Sequence, residues 1–238
     1  MDEVSFLDVA RQGKNSLWRY FFSFPLILGS WLIVGGLVTV LLLSPEFSAS
    51  PGAVEIGVAT PRSFVAFMAS FVPWLLATLL AVRWLHGRSI RTVITAYGRI
   101  RWGRIAEGFG SWFLLIALAS LVEAWLYPGR YRLSFPAEWK DYLLPALILI
   151  PIQTSTEEVF FRGYLLQALG LKMRNRWVLL LLSGLFFAFP HILNPEVSVN
   201  FWLVMASYFV TGVFAAWITL RDGGLELALG MHAANNLY

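Results

Sequence analysis

Between Tyr142 and Leu169 the chain carries a run rich in Leu, Ile and Ala, long enough to cross a bilayer, whose second half holds Glu157, Glu158 and Arg162. Nothing else in the sequence restricts the fold so tightly. A charge near the bilayer centre costs about 2.5–3.5 kcal/mol on insertion scales, so such side chains face a cavity or one another and serve function. Arg162 follows Glu158 by four residues, which puts the two on one helix face where they can pair. Glu157 is turned about 100° from Glu158, given roughly 3.6 residues per turn. Four residues to either side of it stand Gln153 and Phe161, neither of them basic. One carboxylate is thus neutralised on its own helix and one is left over. The surplus carboxylate is the candidate for chemistry.

The remaining sequence supplies the membrane setting. Of 238 residues, 58% are hydrophobic and 13% charged, whereas soluble domains are about 25% charged and lack long apolar runs. The expected fold is all-α, a polytopic transmembrane helix bundle of about seven spans with an intramembrane polar site in its C-terminal half. The lack of cysteine removes disulfides, thiolate nucleophiles and Cys-ligated metals. The net charge of +4 does not indicate a nucleic-acid partner, because the basic residues cluster in short loops between apolar runs, as positive-inside topology requires. The partner implied is the lipid bilayer, and the eleven Trp fit anchoring at its surfaces.

Residues 1–19 form a polar, mildly basic tail, expected in the cytoplasm. Residues 20–141 hold the N-terminal helices and a basic cytoplasmic loop, and residues 142–238 hold the polar site. The first span, Tyr20–Leu43, exceeds the roughly 7–15 residues of a cleaved signal's apolar region and is read as retained, despite the cleavage-like Ser48-Ala49-Ser50. A loop rich in Pro, Ser and Gly covers Ser44–Arg62, and a second span follows from Ser63 to Leu85. Arg83 to Arg104 contains six arginines and no acid, a stretch that belongs in the cytoplasm and can lie on anionic lipid. The third span is Phe109–Leu126, the fourth ends at Leu169-Gly170, the fifth is Trp177–Ile192 and the sixth Phe201–Leu220. Leu225–Tyr238 is short of the roughly 20 residues of a span. It is expected to be a partial span held by its neighbours or the start of a truncated one.

Four polar elements fall in this second half: Glu157-Glu158-x-x-x-Arg162, His191, His232 and Asn236. Measured from the cytoplasmic ends of their helices at about 1.5 Å per residue, Glu157 lies roughly 19 Å deep, His191 22 Å, His232 12 Å and Asn236 18 Å. They arrive near one level on three helices, with Asn236 sharing a face with His232. Each residue alone has a structural reading, such as an interhelical hydrogen bond or a buried ion pair. Together, with a surplus carboxylate, they favour a reactive site. The chemistry they suit is peptide hydrolysis, with a desolvated glutamate and an imidazole sharing a water and a His and Asn donating to the oxyanion. A serine mechanism fails because Ser183 and His191 stand about 12 Å apart along one helix, and no His-Glu-x-x-His motif is present.

At these residues the chain resembles the CPBP or abortive-infection family, which includes the type II CAAX prenyl endopeptidases. The family's motifs, Glu-Glu-x-x-x-Arg, Phe-x-x-x-His and His-x-x-x-Asn on separate membrane helices, read here as Glu157-Glu158-Val-Phe-Phe-Arg162, Phe187-Ala-Phe-Pro-His191 and His232-Ala-Ala-Asn-Asn236. The resemblance covers Tyr142–Tyr238 and marks 142–238 as the catalytic region. It implies an intramembrane endopeptidase in which Glu157 and His191 activate the water and His232 and Asn236 form the oxyanion site. Glu158 and Arg162 would support the geometry. The substrate would be a peptide or a membrane-associated protein, and the location a bacterial inner (cell) membrane. No cofactor is expected, and a zinc, if present, would take Glu157, His191 and His232. Two alternatives remain: a non-catalytic regulator or immunity protein with the same fold, and a proton-coupled transporter.

Overall fold

In a computed structural model, which describes residues 5–49, 60–130, 132 and 137–238, the chain is a bundle of helices with no strand among the described residues. Among the described residues six helices are long and apolar enough to cross a membrane: α1 (Leu17–Pro45), α2 (Pro61–Leu85), α3 (Trp102–Leu126), α4 (Trp139–Gly170), α5 (Arg176–Leu193) and α6 (Phe201–Asp222). The expected loops over 50–59, over 131 and over 133–136, and the first four residues, lie outside the described residues. Helix α7 (Glu226–Leu237) has 12 residues. At about 1.5 Å per residue it reaches roughly 18 Å, too short to cross a hydrocarbon core of about 30 Å. It packs against α3, α4 and α6.

Local chemistry sets the helix ends. Thr60 and Ser63 cap α2 reciprocally, with Pro61 in the first turn. Asn175 accepts from the backbone of Trp177 and Val178 at the start of α5, and Asn200 from Leu203 at the start of α6. Gly223, at φ 70°, turns the chain out of α6. Two boundaries differ from those expected. The helical winding of α1 continues beyond the expected Leu43, and past Pro45 to Ala49, and the Ser44 hydroxyl donates to the Leu41 carbonyl in this turn. Helix α3 begins seven residues before Phe109 because its first turns carry Arg104 and Glu107, which pair with each other.

The N-terminal tail is docked onto the bundle. Phe6, Val9 and Ala10 are buried, a 3₁₀ turn spans Asp8–Gln12, and Leu7 packs against Gly170 at the end of α4. Nearby, the buried His86 ring contacts the Lys14 carbonyl at 2.9 Å and the Tyr164 hydroxyl at 2.8 Å, and that hydroxyl also bonds Ser23. Burial, with the nearby Arg88 and Arg19, holds the His86 imidazole below its ordinary value, so it is kept neutral. The main core lies between α1, α2 and α4, where Trp31 stacks on Trp74 at 4.4 Å and Trp74 meets Phe160 edge-on at 5.2 Å.

The basic loop before α3 does more than set topology. Arg101 reaches Glu226 at 2.8 Å and Asp222 at 2.6 Å, and the Leu225 amide donates to the Ile94 carbonyl at 2.7 Å. The loop lacks acids of its own, but the turn between α6 and α7 supplies them. The start of α7 is thereby clamped. Along its length, α7 meets α3 through two glycines: a methyl group at Gly230 would stand 2.0 Å from the Ile105 carbonyl, and one at Gly108 2.4 Å from the Leu227 carbonyl. Backbones touch here, as small residues allow between membrane helices.

Candidate functional site

Helix α4 changes its winding at the candidate residues. It is α-helical as far as Glu158 and π-helical from Val159 to Leu165. Such wide turns are rare and recur at functional sites. Across its start Glu158 and Arg162, both fully buried, pair at 2.8 Å, as their spacing predicts. The Arg162 guanidinium also lies 4.1 Å over the ring of Phe187, a cation–π contact whose value rises when it is desolvated. The first residue of the Phe-x-x-x-His motif therefore seats the arginine of the first.

Glu157 is turned away from that pair. Its Oε1 accepts from Nε2 of Gln153 at 2.6 Å, and its Oε2 stands 3.6 Å from Nε2 of His232. Gln153 Oε1 in turn accepts from Nδ2 of Asn236 at 3.1 Å. His232 presents its other nitrogen, Nδ1, to Glu158 Oε1 at 2.8 Å. Because that carboxylate already takes a hydrogen bond from Arg162, it accepts from Nδ1–H, which leaves Nε2 as the ring atom facing Glu157. Asn236, Gln153, Glu157, His232, Glu158 and Arg162 thus form one chain of polar contacts across α4 and α7. Glu157, Gln153 and His232 are all nearly buried.

His191 is brought alongside rather than into this chain. It lies in the 3₁₀ turn Phe189–Leu193 that ends α5, with Nδ1 donating to the Phe187 carbonyl at 2.7 Å. That bond leaves Nε2 as the accepting face. Its ring lies against Tyr208 of α6 at 4.0 Å and against Phe187 at 4.8 Å, and Phe187 is edge-on to His232 at 5.8 Å. The Tyr208 hydroxyl bonds Glu196 and takes a hydrogen bond from Asn194 at 3.0 Å. At Glu196, in the turn between α5 and α6, burial pushes the carboxyl up, but hydrogen bonds from Tyr208, its own backbone and Asn194 outweigh it and hold the group below its ordinary value.

Two details add to the expected arrangement. Glu157 lacks a basic partner on α4 but is held by the amide of Gln153. His232 and Asn236 share a helix, yet His232 bonds α4 through Glu158 while Asn236 bonds it through Gln153. The alternative zinc set of Glu157, His191 and His232 is not assembled: among the described residues no three His, Cys, Asp or Glu close round a point a metal could occupy. Ser183 has its hydroxyl buried without a hydrogen-bond partner among the described residues. Gln153, Tyr208 and Glu226 do not stand out in the sequence as part of the site. The first had a signal, a carboxamide four residues before Glu157 in an apolar run; the other two needed the fold.

A family model described as type II CAAX prenyl endopeptidase Rce1-like matches residues 139–238. That region holds α4 to α7 and every residue of the polar chain. The uncharacterized protein YyaK of Bacillus subtilis (strain 168) is 36% identical over 236 residues, which covers 95% of this chain and 78% of that protein. No solved structure matches the chain. With six apolar helices of spanning length and the three motifs in order, the chain is an integral membrane protein that belongs to the type II CAAX prenyl endopeptidase Rce1-like family.

Proposed function

We propose that the protein is an intramembrane endopeptidase that cleaves a peptide or membrane-associated protein with a glutamate-activated water. One observation carries this: the buried arginine is taken up by Glu158, so Glu157 keeps its carboxylate for chemistry, with only a neutral amide and the Nε2 edge of His232 beside it. Glu157 takes a proton from the water as its oxygen attacks the scissile carbonyl carbon, and the accepting Nε2 of His191 steadies that water. The oxyanion is met by Nδ2 of Asn236 and, when the ring carries both protons, by Nε2–H of His232, oriented by Glu158. The proton held by Glu157 passes to the leaving amine as the C–N bond breaks.

The reaction uses no bound metal in this proposal. Its location is a bacterial cell membrane, with the N-terminus and the Arg83–Arg104 loop in the cytoplasm. The decisive comparison is wild type against Glu157→Gln in detergent or vesicles, on prenylated and unprenylated peptides, with metal content measured alongside. The variant is expected to fold and to lose about 10²–10⁴-fold in rate, the usual contribution of a positioned base. Full activity in the folded variant removes the mechanism, and cleavage by neither protein favours a non-catalytic regulator. Stoichiometric zinc, with activity lost on chelation and restored by added metal, replaces the metal-free reading.

A further inference from the structure

Helices α5 and α6 part at the end of the bundle that carries the basic loop and leave a cleft of about 330 Å³. It is lined by Arg176, Trp177 and Leu180 from α5 and by Trp217, Leu220 and Arg221 from α6. Arg176 is the first residue of α5, and Arg221 lies in the last turn of α6. Both guanidiniums are therefore at the level where an apolar helix meets the headgroup layer.

The two arginines are uncommitted. No carboxylate lines the cleft. The nearest acid in sequence, Asp222, is bound by Arg101 and Arg104, and the neighbouring Arg174 pairs with Asp8. Arg176 and Arg221 appear in no ion pair among the described residues; Arg221 only lies 5.9 Å from the ring of Trp217. Like charges facing one cleft repel unless an anion lies between them. Below them the walls turn apolar: Leu180 is buried and Leu220 partly so. Trp177 and Trp217 are exposed beside them, at the depth where indole rings settle in membranes. An occupant must be anionic at its head and apolar beneath.

We infer that this cleft is a binding site for an anionic phospholipid, with the phosphate between Arg176 and Arg221 and an acyl chain along Leu180 and Leu220. Basic pockets between transmembrane helices hold anionic headgroups in this way. A free phosphate would leave the apolar wall uncovered, and a second copy of the chain would set arginine against arginine. Because α5 carries Phe187 and His191 and α6 carries Tyr208, a lipid here braces the two helices that hold the outer side of the candidate site.

The test uses the purified full chain in a mild detergent, titrated with phosphatidylglycerol or phosphatidylcholine and followed by native mass spectrometry and thermal unfolding. Phosphatidylglycerol is expected to bind more tightly and to raise the unfolding temperature. The exposed positions make Arg176→Gln with Arg221→Gln a folding-neutral pair. It should weaken phosphatidylglycerol about thirtyfold, taking about 1 kcal/mol for each arginine near a lipid surface. Arg99→Gln, another exposed cation at the same end, should leave binding unchanged, and Arg176→Lys with Arg221→Lys should keep most of it. Equal binding of the two lipids, undiminished binding by the double Gln variant, or full thermal protection by soluble glycerol phosphate would each overturn the site.

Discussion

Gln153 ties the two helices of the candidate site together. It bonds Glu157 on one side and Asn236 on the other, so it fixes the proposed base relative to the proposed oxyanion donor on a different helix. Gln153→Leu keeps the size but removes both bonds. It is expected to lower kcat by up to about 10²-fold, the scale of an ångström's misplacement, with KM little changed. An unchanged kcat in a steady-state assay would show that packing alone positions Glu157. Glu158 and Arg162 present a different case, because each neutralises the other where water is absent. Glu158→Gln or Arg162→Met should each cost about 3–5 kcal/mol, the penalty for an uncompensated buried charge. The double variant should recover part of that loss in a thermal-unfolding cycle, and purely additive losses would contradict the pairing. This pair was legible from a spacing of four. Gln153 was visible as a polar residue in an apolar run, but its two partners were not, since one of them sits 83 positions away.

Among the elements, α7 depends most on its neighbours. It carries His232 and Asn236, and it is held by Arg101 at its start and by the contact of Gly230 with α3 along its length. Gly230→Val is expected to be destabilising by at least the roughly 1–3 kcal/mol of an overpacked contact, because the atom it meets is backbone. The displaced helix should also carry His232 away from Glu158, so activity should fall more than stability explains. A variant that keeps both its unfolding temperature and its rate would dissolve this account. The sequence showed α7 as an incomplete span with two polar residues on one face. It could not show that the basic loop, read as a topology signal, also lends Arg101 to the α6–α7 turn. Nor does local sequence mark the π-helical winding after Glu158, since Val159–Leu165 looks like any apolar helix.

For the molecule as a whole, orientation follows from charge. The loop between α2 and α3, with its arginines, should lie in the cytoplasm together with the N-terminal tail. The chain has no cysteine, so one introduced at the exposed Ser89 reports cleanly. Protection of that site from an impermeant maleimide in intact cells, with labelling after lysis, is the expected result; labelling from outside would invert the topology. Hydropathy made the bundle and its spans legible because lipid imposes the same length and polarity on every crossing. The docked tail was not, because burial of Phe6 and Val9 depends on surfaces formed by α4 and the basic loop. The close contact of α7 with α3 also has a consequence in time. The ribosome releases α7 after every other described helix, and only its arrival brings His232 and Asn236 to Glu158 and Gln153. A nascent chain therefore passes through the insertion machinery with its polar site still open, and the chain of contacts closes only when α7 is seated.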